Sequence, residues 1–147
     1  MELTFSLNTL DIHISGKPVT VDFTLENATP ADLWVLKWYT PFEGIKGKIF
    51  DVFCDGIEME YQGRMVKRAE PRKEDYLLLK SGDSKTVTID LTEVYPIQAC
   101  KKCRVTFRGK IFDTAESETE VPRPSEKHQP FSIKGNSLIF PVLPESI

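Results

Sequence analysis

The chain has 147 residues, of which 40% are apolar and 28% are charged, and these values are typical of a single globular domain. Its formal charge of −3 excludes the strong basic excess by which most nucleic-acid-binding domains hold phosphate groups. No stretch contains the run of about 18 apolar residues that a membrane-spanning helix requires. We therefore predict one domain over residues 1–147, with no nucleic-acid partner and no membrane span.

The first clear strand lies at residues 19–25, where apolar and polar side chains alternate. Its apolar face consists of Val19, Val21, Phe23 and Leu25. Alternation of this kind is typical of a strand with one buried and one solvent-exposed face. A turn-forming stretch with a proline follows, and residues 33–39 then form a segment that is apolar on both faces. We predict that this second segment is a strand near the centre of a sheet.

A hairpin is predicted in the next part of the chain. Residues 49–54 and 57–61 are two β-prone segments separated by Asp55 and Gly56. Asp-Gly in this position favours a two-residue type I′ turn, because both central residues must adopt a positive φ. Residues 65–68 are predicted to add a short strand.

The second half of the chain continues the strand pattern. Further strands are predicted at residues 76–79, 86–91, 103–107, 131–133 and 137–142. Tyr95 lies in the segment that crosses between sheets, where a tyrosine can bury its ring and donate its hydroxyl hydrogen to a backbone group. Residues 113–129 are acidic, contain prolines and have few large apolar side chains. We expect a long mobile loop there, because such a segment buries too little surface to become ordered.

These segments together predict the fold class. Eight or nine short strands are separated by turn signals, and no long segment repeats apolar residues at helical spacing. This pattern favours an all-β fold, and specifically an immunoglobulin-like β-sandwich of about 7–9 antiparallel strands.

The sequence lacks the common signatures of a catalytic centre. It contains two histidines, His13 and His128, and neither belongs to an H-E-x-x-H zinc motif. It also has no G-x-S-x-G motif and no glycine-rich phosphate loop. We therefore predict a protein without catalytic residues and without a cofactor.

The three cysteines offer one alternative chemistry. Cys100 and Cys103 form a C-x-x-C motif, which is found in redox proteins and in metal sites, and Cys54 could supply a further thiol ligand. An odd and low number of cysteines argues against a disulfide framework and is typical of a reducing compartment. The first residues also lack the features of a signal peptide. These observations predict a cytoplasmic protein, or a secreted one if a leader has been removed.

Several short motifs in a fixed order resemble a known family. They are VLKWYTPFEG at 35–44, DG at 55–56, YQG at 61–63, VKRAEP at 66–71, LKSGDS at 79–84 and VYPI at 94–97. This pattern resembles the non-catalytic, propeptide-like β-sandwich that precedes the protease domain in the deuterolysin and peptidyl-lysine metalloendopeptidase family. In that family the zinc-binding helix lies in a separate domain, so the resemblance carries over no catalytic residue.

The resemblance implies a protein-binding module. Domains of this type assist the folding of a protease, hold it inactive or dock it to partners, so a protease is the implied partner and inhibition is one implied activity. We expect Phe42, Arg64, Lys67 and Arg68 to contact the partner, because aromatic and arginine side chains dominate binding hot spots. The alternative function is that of a thiol-redox or metal-binding protein that uses Cys54, Cys100 and Cys103.

Overall fold

The computed structural model describes residues 2–145, which contain thirteen strands and four short 3-10 helices. The strands are β1 (Leu3–Asn8), β2 (His13–Ile14), β3 (Thr20–Asn27), β4 (Leu33–Leu36), β5 (Phe50–Cys54), β6 (Ile57–Glu58), β7 (Tyr76–Leu79), β8 (Ser84–Asp90), β9 (Cys100–Phe107), β10 (Lys110–Ile111), β11 (Thr114–Ala115), β12 (Phe131–Ser132) and β13 (Leu138–Leu143). In this part of the chain, no helix is long and apolar enough to cross a membrane.

The described strands form four sheets, and two of these sheets face each other. One has the order β1-β3-β8 and the other the order β2-β13-β9-β5-β6, while the remaining two sheets have the orders β11-β4-β7 and β10-β12. All of these pairs are antiparallel except β2 with β13. The ring of Phe23 in β3 lies 4.9 Å from the ring of Phe107 in β9, so the two sheets pack through a shared core. The prediction of an all-β sandwich is confirmed, and eight of the described strands have four or more residues.

Alternation along β3 explains why this strand lies against the core. Val21, Phe23 and Leu25 are fully buried, while the residues between them are half-buried. Tyr95 ties the segment after β8 to the opposite sheet, because its buried hydroxyl donates a hydrogen bond to the carbonyl oxygen of Phe50 at 2.7 Å. The predicted role of Tyr95 is therefore confirmed.

The predicted hairpin is confirmed, but two predicted strands differ from the structure. Asp55 and Gly56 have φ values of 50° and 81° and join β5 to β6. The strand expected at residues 33–39 ends at Leu36, because Tyr39 has a φ of 60° and reverses the chain. Residues 65–68 form no strand; a weak backbone hydrogen bond of 3.4 Å from Val66 to Lys46 holds them across a loop instead.

Residues 113–129 are more tightly attached than their composition predicts. Asp113, Ala115 and Val121 are buried, and β11 adds this segment to the edge of β4. The segment therefore buries more than its composition indicates, and polar contacts help to hold it, while its mobility stays a prediction. Asp113 accepts hydrogen bonds from the Tyr76 hydroxyl and from Arg123 Nε, both at 2.8 Å.

Candidate functional site

The protein has a groove of about 560 Å³ on its surface. We call it the basic groove. Four cationic side chains line it: Lys46, Lys48, Arg108 and Lys110. The other side chains that line it are apolar or aromatic: Tyr39, Ile49, Met65, Val66, Phe107 and Phe112. A groove of this size and composition falls in the range of sites that bind a small ligand or a few residues of a peptide.

Two basic-glycine-basic triplets position the cations. Residues 46–48 precede β5, and residues 108–110 lead from the end of β9 into β10, which begins at Lys110. The backbone N–H of Arg108 donates to the carbonyl oxygen of Ile49 at 2.9 Å, which links the second triplet to the residue that follows the first. Gly109 has a φ of 73°, and an added Cβ would lie 3.0 Å from the carbonyl oxygen of Ile133. The turn that separates Arg108 from Lys110 therefore requires glycine.

The charge of the basic groove is only partly neutralised. Glu58 forms a salt bridge with Lys48, and Asp51 lies 4.0 Å from Lys48 and 3.6 Å from Arg108. In the described part of the chain, no carboxylate forms a salt bridge with Lys46 or Lys110. The groove is thus a local excess of positive charge on a protein whose net charge is −3.

Two aromatic residues that line the groove, Tyr39 and Phe112, pack against each other, and Arg68 stacks on Tyr39. The rings of Tyr39 and Phe112 are 4.6 Å apart. The guanidinium of Arg68 lies 4.8 Å from the Tyr39 ring and 5.0 Å from the Trp38 ring. Glu43 Oε2 accepts hydrogen bonds from Arg68 and from the backbone N–H of Tyr39. These contacts help to position Tyr39, which lines the groove.

The four residues predicted to contact a partner differ in their surroundings. Arg64 and Lys67 are exposed, and they flank Met65 and Val66, which line the groove. Phe42 is half-buried and packs edge-on against Phe23 with 5.7 Å between the ring centroids.

Arg68, by contrast, is turned inward. Its side chain is 15% exposed and is paired with Glu43. In this position Arg68 supports the aromatic residues beside the groove. The partner contacts of all four residues stay a prediction.

The sequence offered one signal for the groove that the prediction did not use. The triplets Lys46-Gly47-Lys48 and Arg108-Gly109-Lys110 share a pattern but lie about sixty positions apart in the sequence. Pairing of β5 with β9 brings them together, because Phe50 lies opposite Phe107.

The cysteines are arranged differently from the predicted redox or metal site. Cys54 and Cys100 form a disulfide with 5.8 Å between their Cα atoms, and Cys103 is a buried free thiol. The cysteine count argued against a disulfide, but one is present, and it joins Cys100 to Cys54 rather than to Cys103. Burial and the nearby Asp55 raise the pKa of Cys103 to about 11, which is the opposite of the lowered pKa of a redox-active thiol.

The residues described here also give no metal site. Residues 2–145 contain no group of three or more His, Cys, Asp and Glu side chains arranged to hold a metal ion. His13 is hydrogen-bonded to Thr9 at 2.8 Å and packs on Phe140, and burial lowers its pKa. His128 packs on Trp38 and lies beside the Tyr76 and Asp113 pair.

No family model matches the chain. It is similar to an extracellular protease from Aeromonas hydrophila, with 37% identity over 85 residues. The aligned region is 58% of this chain and 24% of that protease, so the chain spans about a quarter of the length of the protein that it matches. The similarity relates this chain to a segment of a protease.

Proposed function

We propose that this chain is a non-catalytic protein-binding module, of the propeptide-like kind found in the deuterolysin and peptidyl-lysine metalloendopeptidase family, and that it binds a protease domain. The observation that carries this proposal is the similarity to a segment of an extracellular protease. The order of short motifs between residues 35 and 97 supports the same family. Binding would assist folding of the protease or hold it inactive.

The basic groove supports a binding role. Its apolar and aromatic residues give a floor that a partner side chain can fill, and its cations give a polar rim. Interfaces with this arrangement concentrate their binding energy at the apolar centre. Met65 is 76% exposed, so its flexible side chain is accessible to a partner at the groove.

The disulfide supports a function outside the cytosol. Disulfides persist in oxidising compartments and are rare in the cytosol of most organisms. The Cys54–Cys100 disulfide and the similarity to an extracellular protease both favour a secreted protein over the cytoplasmic one that the sequence suggests.

The test is a binding measurement with the catalytic part of a related protease. The Aeromonas hydrophila protease is expressed without the segment that matches this chain, and calorimetry measures its affinity for the purified module. We expect a Kd of about 1 μM or tighter, which corresponds to about −8 kcal/mol. We also expect the module to slow hydrolysis of an unfolded protein or to raise the refolding yield of the protease.

Two variants with exposed apolar side chains provide a matched comparison. Met65→Glu alters the basic groove, and Ile139→Glu alters a residue that is 62% exposed in β13, outside the groove. We expect the first variant to weaken binding and the second to bind like the wild type. Absence of any binding, with no change in protease activity or refolding yield, would overturn the proposed function.

A further inference from the structure

We propose that the basic groove binds an extended acidic segment of the partner protein, with carboxylates at Lys46 and Lys110 and an apolar side chain on Tyr39, Met65 and Phe112. This inference rests on the proposed function, because it names the chemistry that the same groove recognises in its partner.

The charges of the groove specify an anionic ligand. Its lining contains four cations and no acid. Two neighbouring carboxylates, Asp51 and Glu58, pair with Lys48 and Arg108 and reduce the local charge from +4 to +2. Lys46 and Lys110 are exposed and have no ion pair among residues 2–145, so they keep their full attraction for a carboxylate.

The apolar side chains of the groove add a second requirement for the ligand, beyond negative charge. Tyr39 and Phe112 pack against each other, and Lys110 Nζ lies 5.7 Å from the Phe112 ring. An acidic group at Lys110 therefore lies next to an aromatic surface. Met65 adds a flexible thioether that adapts to the shape of a bound side chain. A ligand that satisfies both features carries carboxylates next to an aromatic or aliphatic group.

A peptide segment fits this arrangement better than a polyanion does. The cations come from two separate triplets, so the ligand needs negative groups at two places with an apolar group as well. The protein as a whole has a charge of −3 and would repel a long polyanion such as nucleic acid. A short acidic segment responds mainly to charges within about 8 Å, which is the screening length at physiological salt.

The direct test uses a synthetic peptide and the intact chain. The peptide is acetylated and amidated, and in it Glu alternates with Phe and Leu; the control peptide has Gln at every Glu position. Calorimetry or fluorescence anisotropy measures binding at low and at high salt. We expect the acidic peptide to bind and the Gln peptide to bind at least tenfold more weakly, and we expect salt to reduce the difference.

Charge-reversal variants locate the site. Lys46→Glu and Lys110→Glu should each weaken binding of the acidic peptide roughly tenfold, because each replaces an attraction by a repulsion. Lys101→Glu is the matched control, because Lys101 is also exposed but does not line the groove. Equal binding of the two peptides, or equal binding by all three variants and the wild type, would overturn the inference. Circular dichroism establishes that each variant is folded.

Repeating the measurement with the protease domain separates the two proposals. If the protease binds the wild type and is tenfold weaker with Lys46→Glu and Lys110→Glu, both proposals are supported. If it binds all variants equally, the acidic-segment inference fails and the binding function stands. If the acidic peptide binds but the protease domain does not, the groove chemistry is supported and the proposed protease partner is wrong.

Discussion

Cys54 of β5 lies directly opposite Cys103 of β9, yet its sulfur is bonded to Cys100. Residues three apart in a regular strand point to opposite faces, so Cys100 and Cys103 would not both face inward. The register between β9 and β13 shifts here, because Phe140 pairs with Cys103 and Val142 pairs with Cys100. One extra residue in β9 forms a bulge at Lys101 and Lys102, and both cysteines consequently become buried.

The disulfide should contribute strongly to stability. It closes a loop with a sequence separation of 46 residues between Cys54 and Cys100, and chain entropy gives about 4 kcal/mol for a loop of this length. We expect a Cys54→Ala/Cys100→Ala double variant to lose about 4 kcal/mol in the free energy of unfolding, measured by urea denaturation. Reductant should destabilise the wild type by a similar amount and leave the double variant unchanged. A wild-type protein that is insensitive to reductant would contradict the disulfide.

Cys103 should make the free energy of unfolding depend on pH in the alkaline range. Its pKa rises from 9.0 to about 11 in the folded protein because the thiol is buried. Between these values the unfolded chain loses the thiol proton and the folded chain keeps it, so stability falls as pH rises from 9 towards 11. The slope contributed by this one group is at most about 1.4 kcal/mol per pH unit.

A Cys103→Ala variant isolates this effect. Burial also raises the pKa of Tyr95 to about 12 and that of Tyr76, so both tyrosines act in the same direction above pH 10. The difference in unfolding free energy between wild type and variant removes their contribution. We expect this difference to change steadily from pH 9 to 11, and a constant difference would mean that the thiol is not buried from solvent.

The fold was predictable from local patterns, because alternation and turn chemistry act over a few residues. The alternation of apolar residues at Val21, Phe23 and Leu25 predicted the buried face of β3. The Asp55-Gly56 turn was predictable because Asp and Gly tolerate a positive φ. Tyr95 was predictable for a similar reason, because a large ring with a polar tip fits a buried corner.

The candidate site was not predictable in the same way. The basic groove depends on the pairing of β5 with β9, which joins triplets that are distant in the sequence. The disulfide depends on a bulge, and no pattern of side chains specifies that extra residue. The contacts of residues 113–129 were not predictable either, because Asp113 holds the segment through polar partners, while the prediction counted apolar side chains.

Asp113 should control the order of residues 113–129. It is fully buried, and its carboxylate accepts hydrogen bonds from Tyr76 and Arg123, with a weaker one from the Gln129 backbone N–H at 3.3 Å. Asp113→Asn removes the charge that balances Arg123. We expect a loss of about 3 kcal/mol in unfolding free energy and faster hydrogen exchange in this segment.

Glu118→Gln provides the control for Asp113→Asn. Glu118 pairs with Lys73, and both side chains are more than half exposed. A surface pair of this kind contributes less than about 1 kcal/mol. If both variants lost the same stability, the buried position of Asp113 would have no special role, and the segment would be held by its apolar contacts.

Arg68 should act as an internal support and not as a partner contact. Its guanidinium is stacked on Trp38 and Tyr39 and paired with Glu43, whose side chain is 8% exposed. Arg68→Met keeps much of the side-chain volume but leaves the Glu43 carboxylate without its cation. We expect a loss of about 3 kcal/mol in the free energy of unfolding, because removing one member of a buried pair leaves the other uncompensated.

Two further variants test the pair itself. Arg64→Met changes an exposed arginine in the same segment and should alter stability by less than about 0.5 kcal/mol. The Arg68→Met/Glu43→Gln double variant should recover part of the loss, because it removes both charges together. If Arg68→Met were as stable as Arg64→Met, the guanidinium would be free of Glu43. We would then expect Arg68 to contact a partner, since an unpaired arginine beside the groove could reach the same ligand as Lys46 and Lys110.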